Sequence, residues 1–145
     1  MGTPSIVGTY QLIRRELPDG TVQLPPMVKG MFTYTKEFRN FSVVWQDDHG
    51  KFYSVCYVAR YTLTDTEYSE TSEYVISDDQ IHRKGIRYDL SHSTAKSPVS
   101  YDGKRIRFAL PQPFEKALSV TLGFEGPKLT ATAKDQFVDY WEKVS

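Results

Sequence analysis

The sequence has few cysteines and histidines, and it has no excess of charge of either sign. Its 145 residues include one cysteine, Cys56, so no disulfide can form within the chain. Basic and acidic residues number 18 each, which gives a formal net charge of zero. Because nucleic-acid binding requires a strongly basic surface, this balance argues against a nucleic-acid partner.

Long apolar segments are also absent. No run approaches the roughly 20 residues of a membrane-spanning helix. The first residues, Met1 to Val7, lack the basic and apolar parts of a signal peptide. We therefore expect a cytoplasmic protein with no membrane partner. The length fits a single domain over residues 1–145.

Aromatic residues are plentiful, at 14% of the chain with ten tyrosines, and they favour strands. Apolar and polar residues alternate over short segments, which are separated by turn signals such as Pro18-Asp19-Gly20, Asp48-His49-Gly50 and Asp102-Gly103. Many short strands with frequent turns are typical of a sandwich or a barrel. The pattern predicts an all-β fold, a single antiparallel up-and-down barrel of about 8–10 strands with little helix.

The C-terminal segment fits two patterns. Phe137, Asp139 and Trp141 alternate as in a strand, whereas Phe137, Tyr140, Trp141 and Val144 have helical spacing. The residues alone leave both interpretations open.

Several short motifs resemble, in their order, the lipocalin-like domain family of calycin barrels. They are Gly8-Thr9-Tyr10, Gly30-Met31-Phe32-Thr33-Tyr34-Thr35, Phe41-Ser42-Val43, Val58-Ala59-Arg60-Tyr61-Thr62 and the terminal Tyr140-Trp141-Glu142-Lys143-Val144. The chain departs from the family at three points. Tyr10 stands where lipocalins carry tryptophan, Ala59 stands where glycine is usual, and the histidine of the fifth strand is missing, with Tyr74 nearest in phase.

The resemblance implies how the barrel ends are built. Tyr10 would plug the closed end, and the C-terminal segment would be a strand. A basic side chain from that strand, Lys143, would lie over the Tyr10 ring in a cation–π contact.

No catalytic, cofactor or metal motif is found. His49, His82 and His92 are too far apart for a zinc pair and are interpreted as exposed. Cys56 lies between apolar neighbours and is predicted to be buried and inert. The acidic stretch over residues 65–79, which includes Glu70, and the basic residues that follow are interpreted as paired charges on a solvated wall. The other interpretation is a basic patch for an anionic ligand.

The alternation places a large aromatic set on the inner faces of the strands. A barrel of about eight strands either packs solid or holds one small ligand. We predict a cavity that binds a small, mainly apolar molecule. The predicted lining residues are Phe32, Tyr34, Phe41, Trp45, Tyr57, Tyr61, Tyr74, Tyr88 and Phe108.

Two alternatives stay open at this point. The rings could fill the barrel completely, or the cavity could belong to an enzyme. An isomerase or cyclase of secondary metabolism can act by orienting a reactive substrate, without a catalytic triad. The sequence names no catalytic residues and no ligand. It does not decide the oligomeric state, so a homodimer stays open.

Overall fold

Every regular element of the protein is a β-strand in the computed structural model, which describes residues 5–110 and 120–145. The all-β prediction is therefore confirmed. The strands are β1 (Gly8–Glu16), β2 (Val22–Gln23), β3 (Val28–Tyr34), β4 (Phe38–Gln46), β5 (Phe52–Leu63), β6 (Glu67–Asp79), β7 (Gly85–Asp89), β8 (Thr94–Asp102), β9 (Arg105–Leu110), β10 (Val120–Glu125), β11 (Lys128–Ala133) and β12 (Phe137–Lys143).

Ten of these strands close into an antiparallel barrel. The order runs from β12 through β11, β10, β9, β8, β6, β5, β4 and β3 to β1, and β1 then pairs with β12. The short strands β2 and β7 pair with β1 and β6 outside this ring. The closing pairs include Leu12 opposite Trp141, so the C-terminal segment is a strand and its helical spacing does not produce a helix.

Two β-bulges change which side chains face the interior. In β1 the register shifts between Leu12 and Arg14, so Arg15 turns inward. In β6 the partners of Val58 and Ala59 are Tyr74 and Ser72, which leaves one extra residue between them. A bulge of one residue reverses the inward and outward alternation beyond it. Both bulges therefore place residues on faces that strict alternation does not predict.

One end of the barrel is packed solid with aromatic rings. Tyr34 meets Tyr61 edge to face at 4.8 Å, and Tyr68 stacks on Phe108 at 4.1 Å between ring centroids. Tyr10 is 1% exposed, and its hydroxyl donates to the Ile6 carbonyl at 3.1 Å. Tyr10 thus lies in the closed end, as expected from the resemblance.

The expected contact between Lys143 and the Tyr10 ring is not found among the cation–π contacts of the described residues. Lys143 is exposed, and its side chain occupies the space in which a Cβ on residue 8 would stand. Gly8 also has a φ of 152°, which side-chain-bearing residues rarely adopt. The tyrosine ring instead meets Phe124 edge-on at 5.8 Å. The motif glycine therefore makes room for lysine at the barrel rim.

Gly30 provides a second close approach. A Cβ built on this residue would lie 2.8 Å from Cη2 of Trp141 and 3.1 Å from the Ser42 carbonyl oxygen. Glycine at this point lets the edge of the indole ring approach the backbone of β3.

We predict that Gly30→Ala lowers the free energy of unfolding by about 1–3 kcal/mol, because the added methyl displaces the indole or the strand. Gly123→Ala is the matched control, since its nearest neighbour is the Thr130 hydroxyl at 3.1 Å, which can rotate away. Urea unfolding of the two variants measures the difference. Equal losses would contradict the role given to Trp141.

Candidate functional site

The half of the barrel opposite Tyr10 is hollow. It contains a cavity of about 330 Å³, at the lower end of the range for small-molecule pockets. Most of its wall is apolar. Its lining includes aromatic rings and branched side chains, among them Phe32, Phe41, Val43, Trp45, Leu122 and Trp141.

The cavity opens where several hairpins turn. Asp79, His82 and Lys84 come from the end of β6 and the turn after it, and Gln136 comes from the turn before β12. Trp45 stacks on Tyr53 at 4.3 Å close to these turns. The mouth is therefore polar and most of the interior wall is apolar, the usual arrangement of a ligand pocket.

A buried ion pair separates the cavity from the packed end. Arg39 and Glu70 are both 0% exposed at their side chains, and the arginine donates from Nε at 3.1 Å and from Nη2 at 2.8 Å. Glu70 also accepts from the hydroxyl of Tyr57 at 2.6 Å and from that of Tyr68 at 2.9 Å. Each carboxylate oxygen thus accepts two hydrogen bonds, which a buried charge pair needs to offset its desolvation.

The electrostatics of this cluster fix its protonation. Burial acts to lower the pKa of Arg39, but the charge of Glu70, the phenols of Tyr68 and Tyr34 and the hydrogen bond to Glu70 together outweigh it, and the pKa is raised. Burial raises the pKa of the Tyr57 and Tyr68 phenols, and Glu70 raises both further. Arg39 therefore stays a cation, and both phenols stay neutral donors.

A second buried ion pair lies on the cavity wall. Arg15 donates from Nε to Asp139 at 2.7 Å and from Nη2 at 2.9 Å. Its guanidinium lies over the rings of Phe137 at 4.0 Å and Trp45 at 4.6 Å. Burial raises the pKa of Asp139, and Arg15 offsets part of that rise. The two buried pairs contribute no net charge to the interior.

Three buried polar atoms have no hydrogen-bond partner among residues 5–110 and 120–145. They are Nη1 of Arg39, Nε1 of Trp141 and Oγ of Ser72. Arg39 and Trp141 line the cavity. Buried polar groups are nearly always paired in folded proteins, so each of these atoms requires an explanation.

The predicted ligand-binding residues fall into separate places. Phe32, Phe41 and Trp45 line the cavity. Tyr34, Tyr61 and Phe108 belong to the packed end, where Tyr34 shares a hydrogen bond of 2.9 Å with Tyr68. Tyr57 is buried beside Phe41 and holds Glu70. Of the predicted ligand-binding residues, only Phe32, Phe41 and Trp45 therefore line the cavity.

Two of the predicted residues do not face inward. Tyr74 is 39% exposed and Tyr88 is 67% exposed, both on the outer wall. The bulge in β6 reverses the alternation before Tyr74, and Tyr88 belongs to β7, outside the ring of ten strands. The expectation that they face the interior was wrong for these structural reasons.

Cys56 is also placed differently from the prediction. It is exposed, because Tyr57 takes an inward position of β5 and the residue before it therefore points to the outer face of the strand. The expectation of a buried thiol was therefore wrong.

The charged residues of the interior were not identified from the sequence. Glu70 was assigned to the solvated wall and is instead buried. A signal was present, because Arg39, Glu70 and Asp139 each lie two residues from an inward aromatic residue: Phe41, Tyr68 and Trp141. Arg15 carried no such signal, since its orientation depends on the bulge in β1.

A histidine and an aspartate form a polar contact at the mouth. Nδ1 of His82 lies 3.0 Å from Oδ2 of Asp79, and the histidine side chain is 66% exposed. Within the described ranges no group of three or more histidine, cysteine or acidic side chains could hold a metal ion. The same ranges contain no helix long and apolar enough to cross a membrane.

We predict that five tyrosines ionise only when the barrel unfolds. The pKa values of Tyr10, Tyr34, Tyr57, Tyr61 and Tyr68 are raised above 10.0, mainly by burial. A raised folded-state pKa contributes stability that is present below pH about 10 and is lost as the pH rises further. Phenolate absorbance followed together with circular dichroism should show their ionisation coinciding with alkaline unfolding. Ionisation of all ten tyrosines before any loss of structure would contradict the burial described.

Comparison with known proteins adds no family to these observations. No family model, no curated protein and no solved structure matches the chain. The assignment of function therefore depends on the geometry of the barrel and its cavity.

Proposed function

We propose that this protein binds one small, mainly apolar molecule inside a lipocalin-like barrel of the calycin type. The observation that carries the proposal is the cavity of about 330 Å³ with an apolar wall, in a barrel whose other half is packed solid. A barrel that served only as a scaffold would gain stability by filling this space, since empty volume costs packing energy.

The side chains of the cavity wall are preorganised for ligand binding. Its two buried arginines are held by bidentate ion pairs, and its aromatic rings are fixed by contacts with one another. A wall of this kind loses little side-chain entropy on binding, which favours affinity. The size of the cavity limits the ligand to a small molecule. A cytoplasmic location and the absence of a nucleic-acid partner stay predictions from the composition.

We predict saturable binding of the neutral fluorescent probe N-phenyl-1-naphthylamine, and loss of that binding when the cavity is filled. Ala131 lines the cavity, so Ala131→Phe should weaken binding at least about tenfold by occupying the space. Thr132→Phe is the matched control, because Thr132 is the next residue of β11 and faces solvent.

Probe fluorescence gives the affinities, and urea unfolding shows whether each variant is folded. Binding that is absent in the unaltered protein would contradict the proposal. Equal binding by a folded Ala131→Phe variant would place the probe outside the cavity and would contradict it as well.

A second candidate, an isomerase or cyclase acting in the same cavity, is favoured by one observation. Asp79 is 7% exposed and orients His82 at the mouth, which is the arrangement of a general base held by a carboxylate. Incubation of a metabolite extract with the unaltered protein and with His82→Gln tests this candidate. Consumption of a metabolite by the unaltered protein alone supports the enzyme, and identical extracts support simple binding.

A further inference from the structure

We propose that two copies of this protein associate through the outer edge of β7, which pairs with β7 of the second copy in an antiparallel ladder centred on Tyr88. This inference goes beyond the proposed function, since it concerns the outer wall and does not depend on a ligand in the cavity. It is based on an unpaired strand edge, on the exposure of its apolar side chains and on the arrangement of its charges.

The strand β7 lies at an edge of the sheet. It pairs with β6 from Val75 opposite Asp89 to Asp79 opposite Gly85, and no second strand pairs with it within residues 5–110 and 120–145. In an antiparallel strand the N–H and C=O groups point to both sides, so those on the side away from β6 have no strand partner in these ranges. Such an edge is a template for a further strand.

The outer face of this edge carries exposed apolar side chains. Ile86 and Tyr88 share one face of β7, and Leu90 follows at the next position of the same parity. Their exposed fractions of 63%, 67% and 66% are the highest among the large hydrophobic residues that the structure describes. Ile76 of β6 lies opposite Tyr88 and is 40% exposed. Removal of this surface from water favours association.

The twofold symmetry of a dimer restricts how two β7 strands can pair. Opposite residues of an antiparallel pair lie on the same face, so a ladder between identical strands must be centred on one residue. Left-handed backbone at Gly85 (φ 67°) and His92 (φ 55°) bounds the segment that can pair. Only Tyr88 and Asp89 lie in the middle of this segment.

The charges favour the centre at Tyr88. In that register Arg87 of each copy lies opposite Asp89 of the other, and Ile86 lies opposite Leu90. Neither Arg87 nor Asp89 forms a salt bridge with another described residue. Opposite charges on one face and apolar pairs on the other both stabilise a sheet, whereas a centre at Arg87 or Asp89 places like charges opposite each other. The edge is therefore complementary to itself.

We expect a dimer with a Kd of about 1–100 μM, because a ladder of this length is a small interface. Sedimentation equilibrium over concentrations that span this range measures it. Ile86→Lys places a charge opposite Leu90 of the second copy and should weaken association at least about tenfold. Ile13→Lys is the matched control, because Ile13 is 41% exposed and lies in β1, which has partner strands along both sides.

Charge reversal tests the register. Arg87→Asp alone places aspartates opposite each other, and Asp89→Arg alone places arginines opposite each other. Each variant should therefore associate at least about tenfold more weakly than the unaltered protein. An equimolar mixture of the two variants restores both oppositely charged pairs in a mixed dimer. We expect this mixture to associate about as tightly as the unaltered protein.

Circular dichroism and urea unfolding establish that each variant is folded. A monomer at every concentration, whether or not the protein captures another partner, would overturn the inference. A dimer that Ile86→Lys leaves intact would show that the copies meet through another surface and would overturn it as well. A mixture of the charge variants that stayed monomeric would contradict the register centred on Tyr88, and the inference with it. Probe binding in the cavity is measured separately, so the proposed function stands or fails on its own result.

Discussion

The hydrogen-bonded ion pair between Arg39 and Glu70 is the interaction on which the interior of this barrel depends. Both side chains are fully buried at the boundary between the packed end and the cavity. Glu70 contacts the packed end, and Arg39 contacts the cavity side. Glu70 accepts hydrogen bonds from Tyr57 and Tyr68, and Tyr68 stacks on Phe108 in the packed end. Arg39 forms part of the cavity wall. The pair therefore joins the solid half of the barrel to the hollow half.

The cost of burying two charges explains why so many phenols surround them. A buried ion pair is stable only when its remaining hydrogen-bonding positions are filled. Tyrosine combines a large apolar ring with a hydroxyl, so it packs the closed end and completes the carboxylate at the same time. The high tyrosine content of the chain favours strands. It also supplies the hydroxyl groups that donate hydrogen bonds to the buried carboxylate of Glu70. Of the nitrogens of the Arg39 guanidinium, Nη1 is buried and has no partner among the described residues.

The sequence predicted the fold more fully than the site. The alternation of apolar and polar residues between turn signals was sufficient to predict an all-β barrel. The same pattern recurs in many strands, so the prediction does not depend on the orientation of any single residue. Individual orientations depended on bulges, which leave no clear mark in one sequence. The bulge in β6 moved Tyr74 to the outer wall, and the bulge in β1 brought Arg15 inside. Charged residues were assigned to the surface by their usual preference, so Arg39, Glu70 and Asp139 were overlooked despite being in phase with inward rings.

A double-mutant cycle on Arg39 and Glu70 tests most directly whether this pair organises the interior. Urea unfolding is measured for Arg39→Met, for Glu70→Leu and for the variant with both changes. Each single change leaves the partner charge buried and unpaired, so it should cost about 3–5 kcal/mol. The account predicts that the double variant is more stable than either single variant, because no uncompensated charge remains. Losses that simply add would contradict it, since they would show that the two side chains contribute to stability independently.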